Sequence, residues 1–423
     1  MTEAILVYAD FAGSISPTLL GRLHIRRLRS AERMEFEYDE QALASPLAAI
    51  QFDPRIGPYA GRQFPPAGTE RFGLVADASP DRWGETLMRR RHEQDTRAGL
   101  VSTGTQLTPS DYLLGVHDYY RVGALRFKVD PNGPFLDNQN GRGAPPLTRL
   151  RELEEAARRF EDGETLGSEG QDWLSMLIAP GGSLGGARPK ASVIDEADNS
   201  LWIAKFPSNR DTYDLGGWEM LVNVLANGCG LNVAQGAHGK YNNDYHCFRV
   251  KRFDRTHAGE RLHFASAMTL TGHQDGDDHM SGASYLEIAE VLIRHGSNTT
   301  EDLRELWCRI VFNMLVSNTD DHLRNHGFLL DASLGWQLSP AYDINPVPGE
   351  TGLKLNVSEA DNSIDLSLAL AVADRFRVQQ AEAKALISTF KGTISQWRKV
   401  AQAIGLSRQE MQMMAPAFSL AMQ

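Results

Sequence analysis

Two polar residues five positions apart, Asp320 and Asn325, follow a strongly apolar stretch with helical spacing. A carboxylate at the end of a rigid helix can orient a hydroxyl group or accept its proton, and a carboxamide oxygen can hold a magnesium ion. Asp343 lies 23 residues beyond Asp320 and offers a second oxygen ligand of the kind that magnesium prefers. This order and spacing are typical of phosphoryl transfer from ATP to a hydroxyl group.

A lysine and a glutamate upstream could complete the same site. Lys205 lies in an otherwise apolar run, residues 201–206, where an ammonium group is costly to bury without an anion or a carboxylate. Glu219 stands at the start of a predicted amphipathic helix at 218–226. Protein kinases use such a lysine–glutamate pair to hold the α- and β-phosphates. Taken alone, Lys205 could equally reach solvent from an edge strand, and Glu219 could simply favour the helix dipole.

A glycine-rich segment, residues 181–193, precedes the lysine strand. Glycines let backbone amide groups approach a phosphate closely, so Gly185, Gly186 and Lys190 are predicted to bind ATP. The segment matches neither the Walker A pattern nor G-x-G-x-x-G, and by itself a hairpin turn would explain it. Its significance comes from its place at the head of an ordered set of lysine, glutamate, aspartate and asparagine.

The elements that would position these groups predict an α+β protein. The first third is β-rich, with apolar or alternating runs at 4–8, 21–25 and 34–38. Residues 130–146 have the Pro, Gly, Asn and Asp content of a linker, and the pattern is mainly helical from residue 284 onward. We therefore predict a β-rich subdomain at 1–130, a kinase small lobe with the glycine-rich loop at 147–257, and a helical large lobe with the catalytic and metal-binding loops at 258–423.

Composition narrows the class of protein. A net charge of −11 disfavours direct binding to nucleic acid, because an acidic surface repels phosphate. The three cysteines form no C-x-x-C pair, which argues against a disulfide framework or a cysteine zinc site and favours a reducing compartment. The apolar run at 366–373 is far shorter than a membrane span, and the first residues lack a secretion signal. We expect a cytoplasmic protein without membrane contact.

Four segments together resemble the HipA family of bacterial toxin kinases. They are residues 181–191 of the glycine-rich segment, a predicted strand at 250–255, the loop at 318–328 and the turn at 340–346. The N-terminal part also resembles the small β-rich subdomain of that family. The resemblance implies a two-lobed protein-kinase-like fold and transfer of phosphate from ATP to serine or threonine of a protein.

The same resemblance implies a role for each matching residue. Lys205 would contact the ATP phosphates, Asp320 would act as catalytic base, and Asn325 and Asp343 would bind Mg2+. Arg252, like the Phe253 beside it, would lie near the adenine ring.

Regulation and partners follow from the resemblance as well. Ser183 falls where the family carries an autophosphorylated serine, and a phosphate there should displace the glycine-rich loop and inactivate the enzyme. A HipB-type helix-turn-helix antitoxin is the implied partner, so DNA would be reached only through that partner. In the best-known members of the family the phosphorylated protein is an aminoacyl-tRNA synthetase.

Two other functions use similar residues. A catalytically weak kinase-fold corepressor would work by binding a DNA-binding antitoxin, although the presence of Lys205, Asp320, Asn325 and Asp343 argues against it. A kinase of small molecules, such as an aminoglycoside or choline, also needs a catalytic-loop aspartate and a metal-binding aspartate. Such enzymes lack a loop like the one that ends in Lys190.

Overall fold

The computed structural model describes residues 4–27, 31–136, 145–163, 177, 186–332 and 334–423. The chain divides into two compact units. One consists of Met1–Ala204 with Asp254–Ala265, and the other of Lys205–Phe253 with Ser266–Gln423. The three-part division expected from the sequence stays a prediction.

An antiparallel sheet forms the base of the first unit. Its strands are β1 (Ala4–Ala9), β2 (Thr18–Arg27), β3 (Glu32–Tyr38), β4 (Arg62–Gln63) and β5 (Leu125–Lys128). They lie in the order β4-β3-β2-β1-β5. Cross-strand pairs such as Leu23 with Phe36 place apolar side chains on the same face, and both of these residues are buried. The strands predicted in the first third of the sequence are thereby confirmed.

Short helices and a second group of strands complete the first unit. The helices are α1 (Glu40–Leu43), α2 (Gly73–Asp77), α3 (Arg82–Arg97), α4 (Pro109–Leu114) and α5 (Leu150–Glu161). The strands are β6 (Lys190–Asp195) and β7 (Ser200–Lys205), whose last residue belongs to the second unit. Asp81 caps α3 by accepting a hydrogen bond from the Gly84 amide at 2.8 Å.

The second unit is mainly helical. Its elements begin with α6 (Leu215–Gly228) and an antiparallel pair, β8 (Gly236–Gly239) and β9 (Cys247–Lys251). Strand β10 (Phe264–Ser266) contains the point where the chain returns to this unit. Then follow α7 (Ala267–Thr271), α8 (Tyr285–His295), α9 (Thr299–Val316), β11 (Gly327–Leu330), β12 (Trp336–Leu338), α10 (Leu366–Val372), α11 (Gln380–Ile394), α12 (Trp397–Ile404) and α13 (Arg408–Met414).

Helix α9 is the central element of the second unit. Its side chains are buried almost continuously from Leu306 to Val316, and Trp307 and Phe312 are completely enclosed. The Trp307 indole donates a hydrogen bond to the Ala369 carbonyl of α10 at 2.8 Å. A helix held on all sides is a rigid support for the loop that leaves its C-terminus.

This distribution of elements confirms the predicted α+β class, with a β-rich N-terminal part and a mainly helical C-terminal part. Across the residues that the structure describes, no helix combines the length and the apolar character needed to cross a membrane.

Candidate active site

Lys205, Glu219 and Asp343 form one cluster of charges in the second unit. The Lys205 Nζ atom lies 2.6 Å from Glu219 Oε1 and 2.6 Å from Asp343 Oδ1. Burial alone would lower the pKa of Lys205, but the charges of Asp343 and Glu219 outweigh burial and raise that pKa above its ordinary value. Lys205 is therefore a permanent positive charge held between a helix carboxylate and a turn carboxylate.

The N-terminus of α6 fixes the position of Glu219. Asp214 caps the helix by accepting a hydrogen bond from the Gly217 amide at 2.9 Å. A Cβ atom at Gly216 would lie only 2.0 Å from the His246 carbonyl oxygen, so glycine is what allows this close approach of two backbones. The remaining anchor is a buried apolar stripe formed by Trp218, Leu221, Val222 and Leu225.

The loop after α9 carries the predicted base and one predicted metal ligand. We call residues 318–326 the candidate catalytic loop. The Asn325 Nδ2 atom donates to the Asp320 carbonyl oxygen at 3.1 Å, and the Asn325 amide donates to the His322 carbonyl at 2.8 Å. These bonds fold the loop so that the two residues five apart are directly connected. Asp320 itself is exposed, as a group that must meet a substrate hydroxyl needs to be.

The other end of the Asn325 side chain suits a cation. Within the described part of the chain, the Asn325 Oδ1 atom is buried and accepts no hydrogen bond. Buried carbonyl oxygens normally have a partner, so this atom fits a ligand that the protein alone does not supply. A carboxamide oxygen and the Asp343 carboxylate are the hard donors that Mg2+ prefers. No set of three or more His, Cys, Asp or Glu side chains among the described residues forms a ready-made metal site, so phosphate and water would have to complete the shell.

Asp343 lies in a strained turn that is bonded to the candidate catalytic loop. We call residues 340–347 the Asp343 turn. The backbone of Asp343 has a φ of 57°, a left-handed conformation that costs free energy for a residue other than glycine. Hydrogen bonds join the two segments, from Tyr342 Oη to Arg324 O at 2.7 Å and from Asn345 N to Asn318 Oδ1 at 3.2 Å. A further bond runs from Val347 N to the carbonyl of Ser317, the residue before the loop, at 2.9 Å.

A cleft opens beside the charged cluster. Its empty volume, including space open to solvent, is about 250 Å³. Phe253 follows the end of β9, and its ring lies 5.6 Å from that of Tyr342. This contact places one of the two predicted adenine-binding residues next to the Asp343 turn. The lining residues are Glu219, Asn223, Phe248, Val250, Ala341, Tyr342, Asp343 and Ile344.

The glycine-rich segment is described only from Gly186 onward. Gly185 and Ser183 lie outside the described residues. Lys190 belongs to the first unit, where its Nζ atom bonds Asp81 Oδ2 at 2.8 Å and the Gly186 carbonyl at 3.0 Å. The structure therefore joins Lys205, Glu219 and Asp343 directly and ties them to the loop of Asp320 and Asn325, while the ATP contacts of Gly185, Gly186, Lys190 and Arg252 stay predictions.

Sequence reasoning missed a second aspartate in the candidate catalytic loop. Asp321 is buried, and its Oδ2 atom accepts hydrogen bonds from Tyr285 Oη at 2.6 Å, Asn313 Nδ2 at 2.8 Å and His326 Nε2 at 2.7 Å. Burial would raise the pKa of Asp321, but the charge of His326 and the hydrogen bonds from His326 and Tyr285 hold that pKa below its ordinary value. The only sequence signal was the aspartate doublet at 320–321, which does not say which member is buried.

Comparisons with curated proteins found relatives that are described as kinases. A candidate kinase of Haemophilus influenzae is 30% identical over 118 residues, which are 26% of this chain and 34% of that protein. A second candidate kinase, Y4dM of Sinorhizobium fredii, is 31% identical over 159 residues, 36% of this chain and 37% of that protein. The matches thus span about a third of the length of these curated relatives.

A solved structure shows the fold. HipA of Shewanella oneidensis MR-1, in a complex with HipB and operator DNA, matches 98% of this chain with a TM-score of 0.65, and 95% of that chain is covered. At 18% sequence identity this likeness establishes the fold alone, and it confirms the predicted protein-kinase-like class.

The HipA-like C-terminal domain family matches residues 182–416, which is more than half of the chain. The matched region contains the lysine strand, the candidate catalytic loop and the Asp343 turn. By this match, the chain belongs to the HipA-like family.

Proposed function

We propose that this chain is an ATP-dependent protein kinase that phosphorylates serine or threonine as the toxin of a HipA-type toxin–antitoxin pair. The double ion pair of Lys205 with Glu219 and Asp343 carries this proposal. A strand lysine held by a helix glutamate is the arrangement that aims a kinase lysine at the α- and β-phosphates. Membership of the HipA-like family and the two candidate kinases among the relatives support the same class of activity.

Each group in the site has a proposed task. Lys205 binds phosphate oxygens while Glu219 holds its ammonium group in place, and Asp320 accepts the proton of the substrate hydroxyl. Asn325 and Asp343 are the proposed Mg2+ ligands. When bound, Mg2+ supplies neutralisation of the negative charge on the phosphates.

Binding of ATP would then change the partners of Lys205. In the described structure its ammonium group is shared between two carboxylates, at equal distances of 2.6 Å. An ATP phosphate would compete with Asp343 for the Lys205 ammonium group, and a bound cation would compete with Lys205 for the Asp343 carboxylate. Glu219 is the more buried carboxylate, so we propose that the Lys205–Glu219 bond stays and the Lys205–Asp343 bond opens.

The glycine-rich loop and the hinge belong to the proposal on family grounds. Gly185, Gly186 and Lys190 would contribute to phosphate binding, and Arg252 with Phe253 to adenine binding. Autophosphorylation of Ser183 would place a charge of nearly −2 in a loop that must lie close to phosphates, and it would switch the enzyme off by repulsion.

A HipB-type helix-turn-helix antitoxin is the proposed partner, and a cytoplasmic protein, such as an aminoacyl-tRNA synthetase, is the proposed substrate. The HipA structure from Shewanella oneidensis that shares this fold was solved with HipB and operator DNA. The net charge of −11 on this chain suits a protein that reaches DNA through a basic partner instead of by itself.

Asp320→Asn tests the proposed chemistry. The substitution keeps the size of the side chain but removes the proton acceptor, so phosphate transfer from labelled ATP to protein should fall by about 10²- to 10⁴-fold. The measurement is transfer to a cell extract and to the chain itself, followed by mass spectrometry of the labelled residues. Asp374→Asn, which changes another exposed aspartate of the second unit, is the matched control and should leave the rate unchanged.

The same experiment separates the competing functions. Label on small metabolites instead of protein would identify a small-molecule kinase. Nucleotide binding without any labelled product would favour the corepressor. An Asp320→Asn variant as active as wild type would refute the assignment of the base.

A further inference from the structure

Asn318 is bonded to both halves of the candidate site. Its Oδ1 atom accepts the Asn345 amide of the Asp343 turn at 3.2 Å, and its Nδ2 atom donates to Asn313 Oδ1 at 3.1 Å. The Asn318 amide also donates to the Asn313 carbonyl at 2.8 Å. Only 1% of Asn318 is exposed, so water cannot replace these bonds when they are lost.

On one side the bonds continue into the candidate catalytic loop. The Asn313 Nδ2 atom donates to Asp321 Oδ2 at 2.8 Å, and the same oxygen accepts hydrogen bonds from Tyr285 and His326. Asp321 adjoins Asp320, and His326 adjoins Asn325. Asp321, next to the proposed base, is thus bonded to His326, next to the proposed metal ligand Asn325.

On the other side the bonds continue to the lysine. The Asn345 Nδ2 atom donates to Asp343 Oδ1 at 3.3 Å, and the same oxygen accepts a hydrogen bond from the Lys205 ammonium group. A continuous path of hydrogen bonds therefore leads from Glu219 through the proposed metal ligand to Asp321. Within this path, Asn318 is the member that joins the turn to the loop, in addition to the direct bond from Tyr342 to Arg324.

The chemistry of the groups sets the direction of each amide in this path. Asp321 can only accept, so Asn313 must turn its Nδ2 atom towards it and its Oδ1 atom towards Asn318. Asn318 must then present Nδ2 to Asn313 and Oδ1 to the Asn345 amide. A side chain without both a donor and an acceptor cannot make the two contacts.

Backbone strain lies at both ends of the junction. Ser317 has a φ of 52° and Asp343 a φ of 57°, so both are non-glycine residues in the left-handed region. Such conformations persist only where the surroundings over-determine them, and the bonds of Asn318 lie between the two.

We propose that Asn318 is a positioning residue that holds the Asp343 turn in register with the loop of Asp320 and Asn325. The inference rests on the proposed kinase function and deepens it, because it names a residue that bonds the turn of Asp343 to the loop of the proposed base and the other proposed metal ligand. Asn318 touches neither ATP nor substrate in this role.

Asn356 is a matched control for the general effect of losing a buried asparagine. It is 2% exposed and its Nδ2 atom donates to the His279 carbonyl at 2.9 Å, outside the path just described. Asn356→Ala and Asn318→Ala should therefore both lower the melting temperature. Only Asn318→Ala should alter the site.

The test measures kcat for phosphate transfer, the Mg2+ concentration for half-maximal rate, and hydrogen exchange of the Asp343 turn. Loss of a residue that orients metal ligands costs about 10- to 100-fold in activity or metal affinity. Asn318→Ala should lower kcat by that factor, raise the Mg2+ requirement and speed exchange at 341–347. Asn318→Ser, a milder change that also cannot reach both partners, provides the same readings if the alanine variant folds poorly.

Equal kcat and equal exchange in the Asn318 and Asn356 variants, compared at the same folded fraction, would overturn the positioning role. A wild-type chain that transfers no phosphate would instead defeat the proposed function. In that case the exchange rate still decides whether Asn318 holds the turn, because it needs neither ATP nor turnover.

Discussion

The two units each hold a largely buried lysine against a carboxylate, and the two lysines are held differently. Lys190 in the first unit pairs with Asp81, and their side chains are only 3% and 1% exposed. Lys205 in the second unit pairs with two carboxylates, and that of Asp343 is 25% exposed. The first pair is sealed within its unit, whereas the second cluster borders a cleft.

The difference indicates which lysine is free to change partners. Asp81 serves Lys190 with one oxygen and caps α3 with the other, so the pair is built into the start of a helix. Asp343 is held in a strained turn, where a gain of new ligands can repay the strain. The buried Lys190–Asp81 pair stabilises the fold. The Lys205 cluster has two carboxylates for one lysine and borders a cleft, so it is suited to bind a cation and phosphates.

Lys190→Met should have the largest effect on stability. Removing one member of a buried ion pair leaves an uncompensated charge, which costs about 3 to 5 kcal/mol. The free energy of unfolding by denaturant measures this loss. Adding Asp81→Asn should recover most of it, because asparagine is neutral and still caps α3.

The double variant also tests the prediction that Lys190 binds ATP. With stability restored, an ATP affinity equal to that of wild type would assign Lys190 to the fold. A fall in affinity of tenfold or more, about 1.4 kcal/mol, would show that the sealed pair opens to the nucleotide.

Lys205→Met should have the opposite pattern to Lys190→Met, with a large loss of activity and a small loss of stability. Loss of a cation aimed at charge that develops during transfer costs about 10²- to 10³-fold in kcat. The loss of stability should be about 1 to 2 kcal/mol, smaller than for Lys190, because water can reach Asp343 once the lysine is gone. Kinetics and denaturation of the same preparation measure both.

Lys384→Met, which changes an exposed lysine of the second unit, is the control for Lys205 and should change neither quantity. A normal kcat for Lys205→Met would contradict the proposal that Lys205 serves activity and Lys190 serves stability. A loss of stability in Lys205→Met as large as that of Lys190→Met would weaken the same proposal.

The chemical groups of the site were predictable, because their types are unusual in their surroundings. Lys205 interrupts an apolar strand, and Asp320 and Asn325 follow a long apolar helix at a known spacing. The strands and the main helices were predictable because apolar residues recur along them with the period of a strand or a helix. The prediction of a strand at 250–255 was partly wrong, because β9 ends at Lys251 and Arg252 and Phe253 lie in irregular backbone.

The supporting groups were not predictable from local pattern. The partner of Lys190 lies 109 residues earlier in the chain, and that of Asp343 lies 138 residues earlier. The roles of Asn313, Asn318 and Asp321 depend on which way each amide points and on burial, which only the assembled fold determines. Turn and cap positions are the usual places for such residues, so their types alone do not mark them.

The smallest effect is expected at Asp302, a buried carboxylate of α9 that accepts the Leu338 amide at 3.0 Å. Burial raises its pKa to about 6, and the Leu338 amide and the charge of Arg309 offset only part of that effect. Because the folded pKa lies above the unfolded value, Asp302 favours the folded state below about pH 4 and loses that contribution as the pH rises through about 6.

Asp302→Asn should therefore be more stable than wild type by about 1 kcal/mol at pH 7.5, since asparagine avoids the buried charge and can still accept the Leu338 amide. The advantage should shrink as the pH falls below about 6 and vanish only near pH 4, where Asp302 is protonated in both the folded and the unfolded chain. Denaturation of both proteins at several pH values gives this difference, with Asp374→Asn as the exposed control. A stability difference that stays constant across the pH range would mean that the partners of Asp302 offset the cost of burying its charge, as the carboxylates do for the two lysines. Asp302 would then not be a poorly paired buried charge.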